Sequence, residues 1–158
     1  MDDLAVTKIF TDIAGKYPSL YDLEKEMAKW PGATTDEGNV DHIFSGGVYI
    51  RQLIMPKDTL AIGKRHRYET CNMLLKGEVS VYMGGDMPPQ RIKAPFQWTS
   101  LPMKKKLVYF HEDSIFCNLH PTKETDLVEI EKHFIIPEEE YLSLSFGNTK
   151  HIDQGEKQ

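Results

Sequence analysis

From residue 46 onward the hydrophobic pattern has a period of two, and this limits the fold more than any other feature of the chain. In "GGVYIRQLIM" (46–55), Val48, Ile50 and Leu53 alternate with Tyr49 and Arg51. Successive side chains of a strand point to opposite faces, so such a run suits a strand with two different sides. Further runs follow in "TLAIG" (59–63), "RIKAPFQWTSL" (91–101), "KLVYFHEDSIFCNLH" (106–120) and "TDLVEIEKHFII" (125–136). The segment "TCNMLLKGEVSVYMGG" (70–85) reads as two strands meeting near Gly77. Gly, Pro and Asp punctuate the runs roughly every 8–12 residues, the signature of an all-β sandwich or barrel.

The flanks have a different period. Leu4, Val6, Ile9, Phe10 and Ile13 predict a helix over residues 2–16, with acidic residues at its positive end. Ser19 and Asp22 resemble a capping box for a second helix over 19–30. Leu20, Leu23, Met27 and Trp30 share its face, and Pro31-Gly32 stops it. The turn-rich stretch 31–41 reads as a linker. Pro137 and the three glutamates after it suit the first turn of a short helix, and a polar, mobile tail is expected from Gly147. The expected organisation is a helical segment and linker over 1–40, a β-domain over 41–136, and a helix with tail over 137–158.

A chain of 158 residues fits one domain. Its net charge of −5 argues against nucleic-acid binding by bulk electrostatics. No run has the roughly 18 apolar residues of a membrane span. The start "MDDLAVTKIF" is acidic where a leader peptide would be basic, so a cytoplasmic protein is expected. The two cysteines, Cys71 and Cys117, are too few for a disulfide framework and read as reduced, buried thiols.

The stretch "AIGKRHRYETCNMLLKGEVSVYMGG" (61–85) has the outline Gly, His, Glu, apolar run, Gly, and a Pro-containing strand pair follows it. This resembles the cupin superfamily of double-stranded β-helix (jelly-roll) proteins. Over residues 42–136, the segments "GVYIRQLIMPKDTL", "APFQWTSLP" and "HEDSIFCNLHPTKETDLVEIE" are similar to small phage and bacterial cupin-like proteins without an assigned activity. The resemblance implies a cupin-type jelly-roll barrel, a homodimer and a metal site of three histidines and a glutamate. With Gly77 as the last glycine of the first motif, those ligand positions fall on Lys64, His66 and Thr70, and the fourth falls near Lys106. One ligand in four remains. A protonated lysine has no lone pair to give a metal, so no cofactor is expected. A shifted transition-metal site, serving an isomerase or dioxygenase, is the alternative.

The substitutions replace ligands with cations. If strand alternation runs unbroken from residue 64, then Lys64, His66, Tyr68, Thr70 and Asn72 share a face, and Glu69, Arg65 and Arg67 point away. With Lys106 and an aromatic wall from Trp98, these residues form a candidate pocket for a small anion such as a nucleotide. Lys104, Lys105 and Lys106 otherwise read as a solvated turn. The candidate ligand-binding set is therefore Lys64, His66, Tyr68, Glu69, Thr70, Asn72, Trp98 and Lys106, with no catalytic or metal residue. Taken together, these features suggest a non-enzymatic binding protein, and the resemblance implies that it is phage-encoded. A virion or host-interaction role without a ligand is the competing expectation, with the helices as contact elements.

Overall fold

The structure is a computed structural model and describes residues 2–35 and 38–149. Two helices, α1 (Asp3–Lys16) and α2 (Leu20–Met27), precede nine strands. The strands are β1 (Asn39–Ser45), β2 (Val48–Met55), β3 (Thr59–Ile62), β4 (Thr70–Lys76), β5 (Glu78–Tyr82), β6 (Gln90–Lys93), β7 (Phe96–Ser100), β8 (Leu107–Phe110) and β9 (Ser114–Pro121). Two helices, α3 (Leu127–Phe134) and α4 (Glu138–Thr149), follow.

The strands form two antiparallel sheets, one ordered β1-β2-β9-β4-β7 and the other β3-β8-β5-β6. Without the edge strand β1, the order 2-9-4-7 against 3-8-5-6 is that of a jelly roll, in which two Greek keys wind around one core. The fold is the cupin-type double-stranded β-helix that the resemblance implied. Its sheets are not joined into a closed barrel.

The core explains this arrangement. Val79, Val81, Ile92, Val108 and Phe110 face Leu74 and Phe116 across the gap between the sheets. The four-stranded sheet is apolar on its outer side as well. There Tyr82, Leu107 and Tyr109 meet Val6, Phe10 and Ile13 of α1 and Leu20 and Leu23 of α2. Covering on both sides accounts for the unbroken apolar run of β8, whose four residues are all buried. Asp2 caps α1 by accepting from Ala5 N at 2.7 Å, and Ser19 caps α2 by accepting from Asp22 N at 3.1 Å. Asp22 is too short to complete the capping box, and its carboxylate accepts from the Ser19 hydroxyl instead.

The β4–β5 hairpin turns at Gly77, with φ of 90°. A Cβ there would collide with Ser114 Oγ and lie 2.9 Å from Asp113 O. Only glycine meets both demands.

Several expectations need correction. The run 125–136 is not a strand but α3. Asp126 accepts from Val128 N and Glu129 N, and the buried pair Ile130 and Phe134 is spaced by four. The sequence Val-Glu-Ile-Glu only imitates alternation, and His133 is therefore on a helix. The linker ends sooner than expected: β1 begins at Asn39 and includes His42. The second helix stops at Met27, short of Trp30. Residues 147–149 belong to α4, and the expected mobile tail otherwise falls on 150–158, outside the described residues. Cys71 is exposed, whereas Cys117 is buried as expected.

Candidate functional site

The inner face of the five-stranded sheet changes character along its strands. One cross-strand row is Leu53, Phe116 and Leu74. The next is Arg51, Asn118, Asn72 and Trp98, and the row beyond holds Tyr49 beside His120 and Thr70 beside Ser100. One end of the jelly-roll interior is therefore oily and the other polar. Lys106 reaches this polar end from the start of β8, and His66 from the segment before β4.

Asn72 is the hub and is fully buried. Its amide nitrogen donates to Thr70 O (2.9 Å), Ser100 Oγ (3.1 Å) and Trp98 O (3.3 Å). Its Oδ1 accepts from Asn118 Nδ2 (2.9 Å) and Lys106 Nζ (3.2 Å). Lys106 also donates to Ser100 Oγ at 2.9 Å. His66 Nδ1 lies 2.8 Å from Thr70 Oγ1, which itself donates to Tyr68 O at 3.2 Å. That network makes Thr70 the acceptor from His66 Nδ1–H and leaves Nε2 with the ring's lone pair.

His120 completes the cluster. Its ring centre is 5.3 Å from that of His66, 4.5 Å from Phe134 and 5.8 Å from Tyr49. Tyr49, Ile130 and Phe134 pack together, so α3 closes this end of the sandwich.

The electrostatics follow from burial among cations. Burial, then His120, Lys106 and Arg51, push the His66 pKa down to about 3. Burial and Arg51 push His120 down to about 4. Burial alone pushes Lys106 down to about 8. Near neutral pH the cluster thus holds two neutral imidazoles, an ammonium and a guanidinium. The ammonium's hydrogen bonds go to neutral oxygens.

A cupin metal does not fit this donor set. Two imidazoles converge, but the neighbouring positions carry Lys106 and Arg51, which repel a cation and give it no lone pair. Among the described residues, no three His, Cys, Asp or Glu side chains group as a metal site would require.

Five residues of the candidate set meet here: His66, Thr70, Asn72, Lys106 and, at the edge, Trp98. The other three do not. Lys64 pairs at the surface with Glu131 of α3 at 2.8 Å. Tyr68 is 49% exposed and lies against the His133 and Phe134 rings. Glu69 is exposed. The assumed alternation failed because residues 63–69 are not a strand, and only an isolated bridge joins His66 to Ile135. For the same reason Arg65, expected outside, is buried. It binds Glu138 through two nitrogens, at 2.6 and 3.2 Å, and stacks on Tyr141. Nor is the lysine run a solvated turn, since Lys105 is buried and pairs with Glu24 at 2.9 Å.

Sequence reading missed Arg51, Ser100, Asn118 and His120. The signal for two of them was present: Ser114, Phe116, Asn118 and His120 alternate on β9, and all are buried.

No family model matches the chain, and no curated protein matches its sequence. Solved structures do match. A cupin-2 domain protein from Shewanella frigidimarina is 6% identical, with a TM-score of 0.44 over 69% of this chain and 98% of that one. An RmlC-like cupin with a double-stranded β-helix fold from Methanocaldococcus jannaschii is 15% identical, with a TM-score of 0.42 over 60% and 90%. An acetylacetone dioxygenase from Acinetobacter johnsonii is 19% identical, with a TM-score of 0.45 over 58% and 65%. These likenesses concern fold alone.

Proposed function

We propose that this protein binds a small anionic ligand, without a metal, at the polar end of its jelly-roll interior. The observation that carries the reading is Lys106, an ammonium drawn into the sandwich whose hydrogen bonds go to Asn72 and Ser100 rather than to a carboxylate. A buried cation costs free energy unless a counter-charge meets it, and an incoming anion would supply that charge. Arg51 adds a second cation. His66 and His120, both neutral, supply polar ring nitrogens. Trp98 offers an aromatic wall, which keeps nucleotides within the ligand class.

Binding is favoured over catalysis because imidazoles with pKa values near 3 and 4 are weak general bases at neutral pH. The test is thermal melting and titration calorimetry with inorganic phosphate, citrate and AMP. At least one anion should raise Tm and bind the wild type, and Lys106→Met should lose that binding. No shift and no heat with any of the three would reject the reading. A stoichiometric transition metal in a tag-free preparation would also reject it, in favour of a metal-dependent enzyme.

A further inference from the structure

Both cysteines of the chain stand on one patch of the outer face of the five-stranded sheet. On β4, Thr70, Asn72 and Leu74 are buried against the interior, so Cys71 and Met73 point outward. On β9, Phe116 and Asn118 face the interior, so Cys117 points outward as well. Its thiol donates to Gln52 Oε1 at 3.6 Å. Met73 lies directly opposite Cys117 across the strand pair. Cys71 lies opposite Leu119, which places it diagonally from Cys117. Strand pairing thus makes neighbours of two thiols and a thioether.

We propose that Cys71, Met73 and Cys117 form a binding site for a soft monovalent metal ion, Cu(I). Three observations favour it. First, the spacing suits an ion between the thiols. Directly opposite residues of an antiparallel pair have Cβ atoms about 5 Å apart, and diagonal ones have Cα atoms about 7–8 Å apart. The diagonal is too wide for a disulfide unless the backbone moves. An ion bound at about 2.3 Å from each sulfur spans the difference.

Second, the donors are soft. Thiolate and thioether ligands select Cu(I), and three sulfurs leave zinc short of its four ligands. Third, the surroundings accept a cation. In the interior, Lys106 and Arg51 oppose a metal, but the strand neighbours of these sulfurs are Gln52, Gln97, Thr99 and Leu119, none of them cationic. The patch is also open to solvent. Cys71 is exposed, and a groove of about 390 Å³, lined by Met73, Leu75, Phe96 and Gln97, lies beside it. That space leaves the flexible Met73 thioether room to turn towards the thiols.

This inference is independent of the anion site, so its test is separate. The full chain, reduced and free of oxygen, is titrated with Cu(I) in competition with bicinchoninate. The wild type should withdraw one Cu(I) per chain from the chelator, and Cys71 should then resist a maleimide. Cys71→Ser should lose this binding with an unchanged circular dichroism spectrum, because the side chain is exposed. Met73→Leu should weaken binding without abolishing it, and Lys106→Met should bind as the wild type does. Excess Zn(II) should leave the copper in place. Copper lost with Cys71 lies outside the interior and does not bear on the anion site. A wild type that withdraws no copper, undiminished binding in Cys71→Ser, or displacement by zinc would overturn the proposal.

Discussion

At the scale of single residues, Lys106 and Gly77 are the two positions where local chemistry and tertiary surroundings conflict most. Lys106 keeps a charge in the interior at the expense of stability. Replacing a buried ion with an apolar side chain of similar length is often neutral or stabilising. Lys106→Met should therefore melt no lower than the wild type without ligand, while losing its response to anions. The same conflict sets a pH dependence. Because the folded pKa is below the unfolded one, the unfolded chain holds more protons between about pH 8 and pH 10.5. The Lys106 contribution to stability should thus rise with pH across that window and vanish in Lys106→Met. Gly77→Ala should cost about 1–3 kcal/mol in a denaturant melt from backbone strain alone, with the Ser114 collision adding to it. Gly77 was legible in the sequence as a turn. Its contact with Ser114, 37 positions away, was not.

At the scale of elements, residues 64–67 and the two C-terminal helices depend on one another. Lys64 pairs with α3, and Arg65 and Arg67 pair with α4 through Glu138 and Glu140. These pairs should not be equal in worth. Arg65 and Glu138 are each about 10% exposed at the side chain. Arg65→Ala leaves the buried Glu138 carboxylate with Lys105 alone, 4.0 Å away, and should cost about 3 kcal/mol in urea unfolding. Lys64→Ala removes an exposed pair and should cost under about 1 kcal/mol. The misreading of α3 as a strand has its physical reason here too. Val128 and Ile130, two apart, fit the strand period, whereas Ile130 and Phe134, four apart, fit the helical one, and the docking of that second pair onto Tyr49 selects the helix. The capping residue Asp126 was the clue in the sequence, and Asp126→Ala should lower stability by about 1 kcal/mol.

At the scale of the whole molecule, two buried imidazoles make the fold acid-sensitive. His66 and His120 stay neutral in the folded state down to about pH 3 and 4. In the unfolded chain they take up protons near pH 6.5. The unfolded state therefore binds more protons below that value, and stability falls as the pH drops from about 6.5 towards 4. The loss should be on the order of a few kcal/mol. Urea midpoints measured across this range check it, and a His66→Gln, His120→Gln double variant should flatten the curve.

What the sequence determined by itself was local and periodic: the strand alternation, the turns, the first helices and the jelly-roll likeness. Tertiary structure alone decided which side chains converge. Strand register sets Asn118 and His120 beside Asn72 and Thr70, while the irregular path of residues 63–69 leaves Lys64 and Tyr68 at the surface. The reason is that a period of two tells which residues share a face, but not which other strand stands next to them. That choice depends on long-range pairing and on the burial that rewards it, and it set the Lys106 ammonium against the neutral oxygens of Asn72 and Ser100.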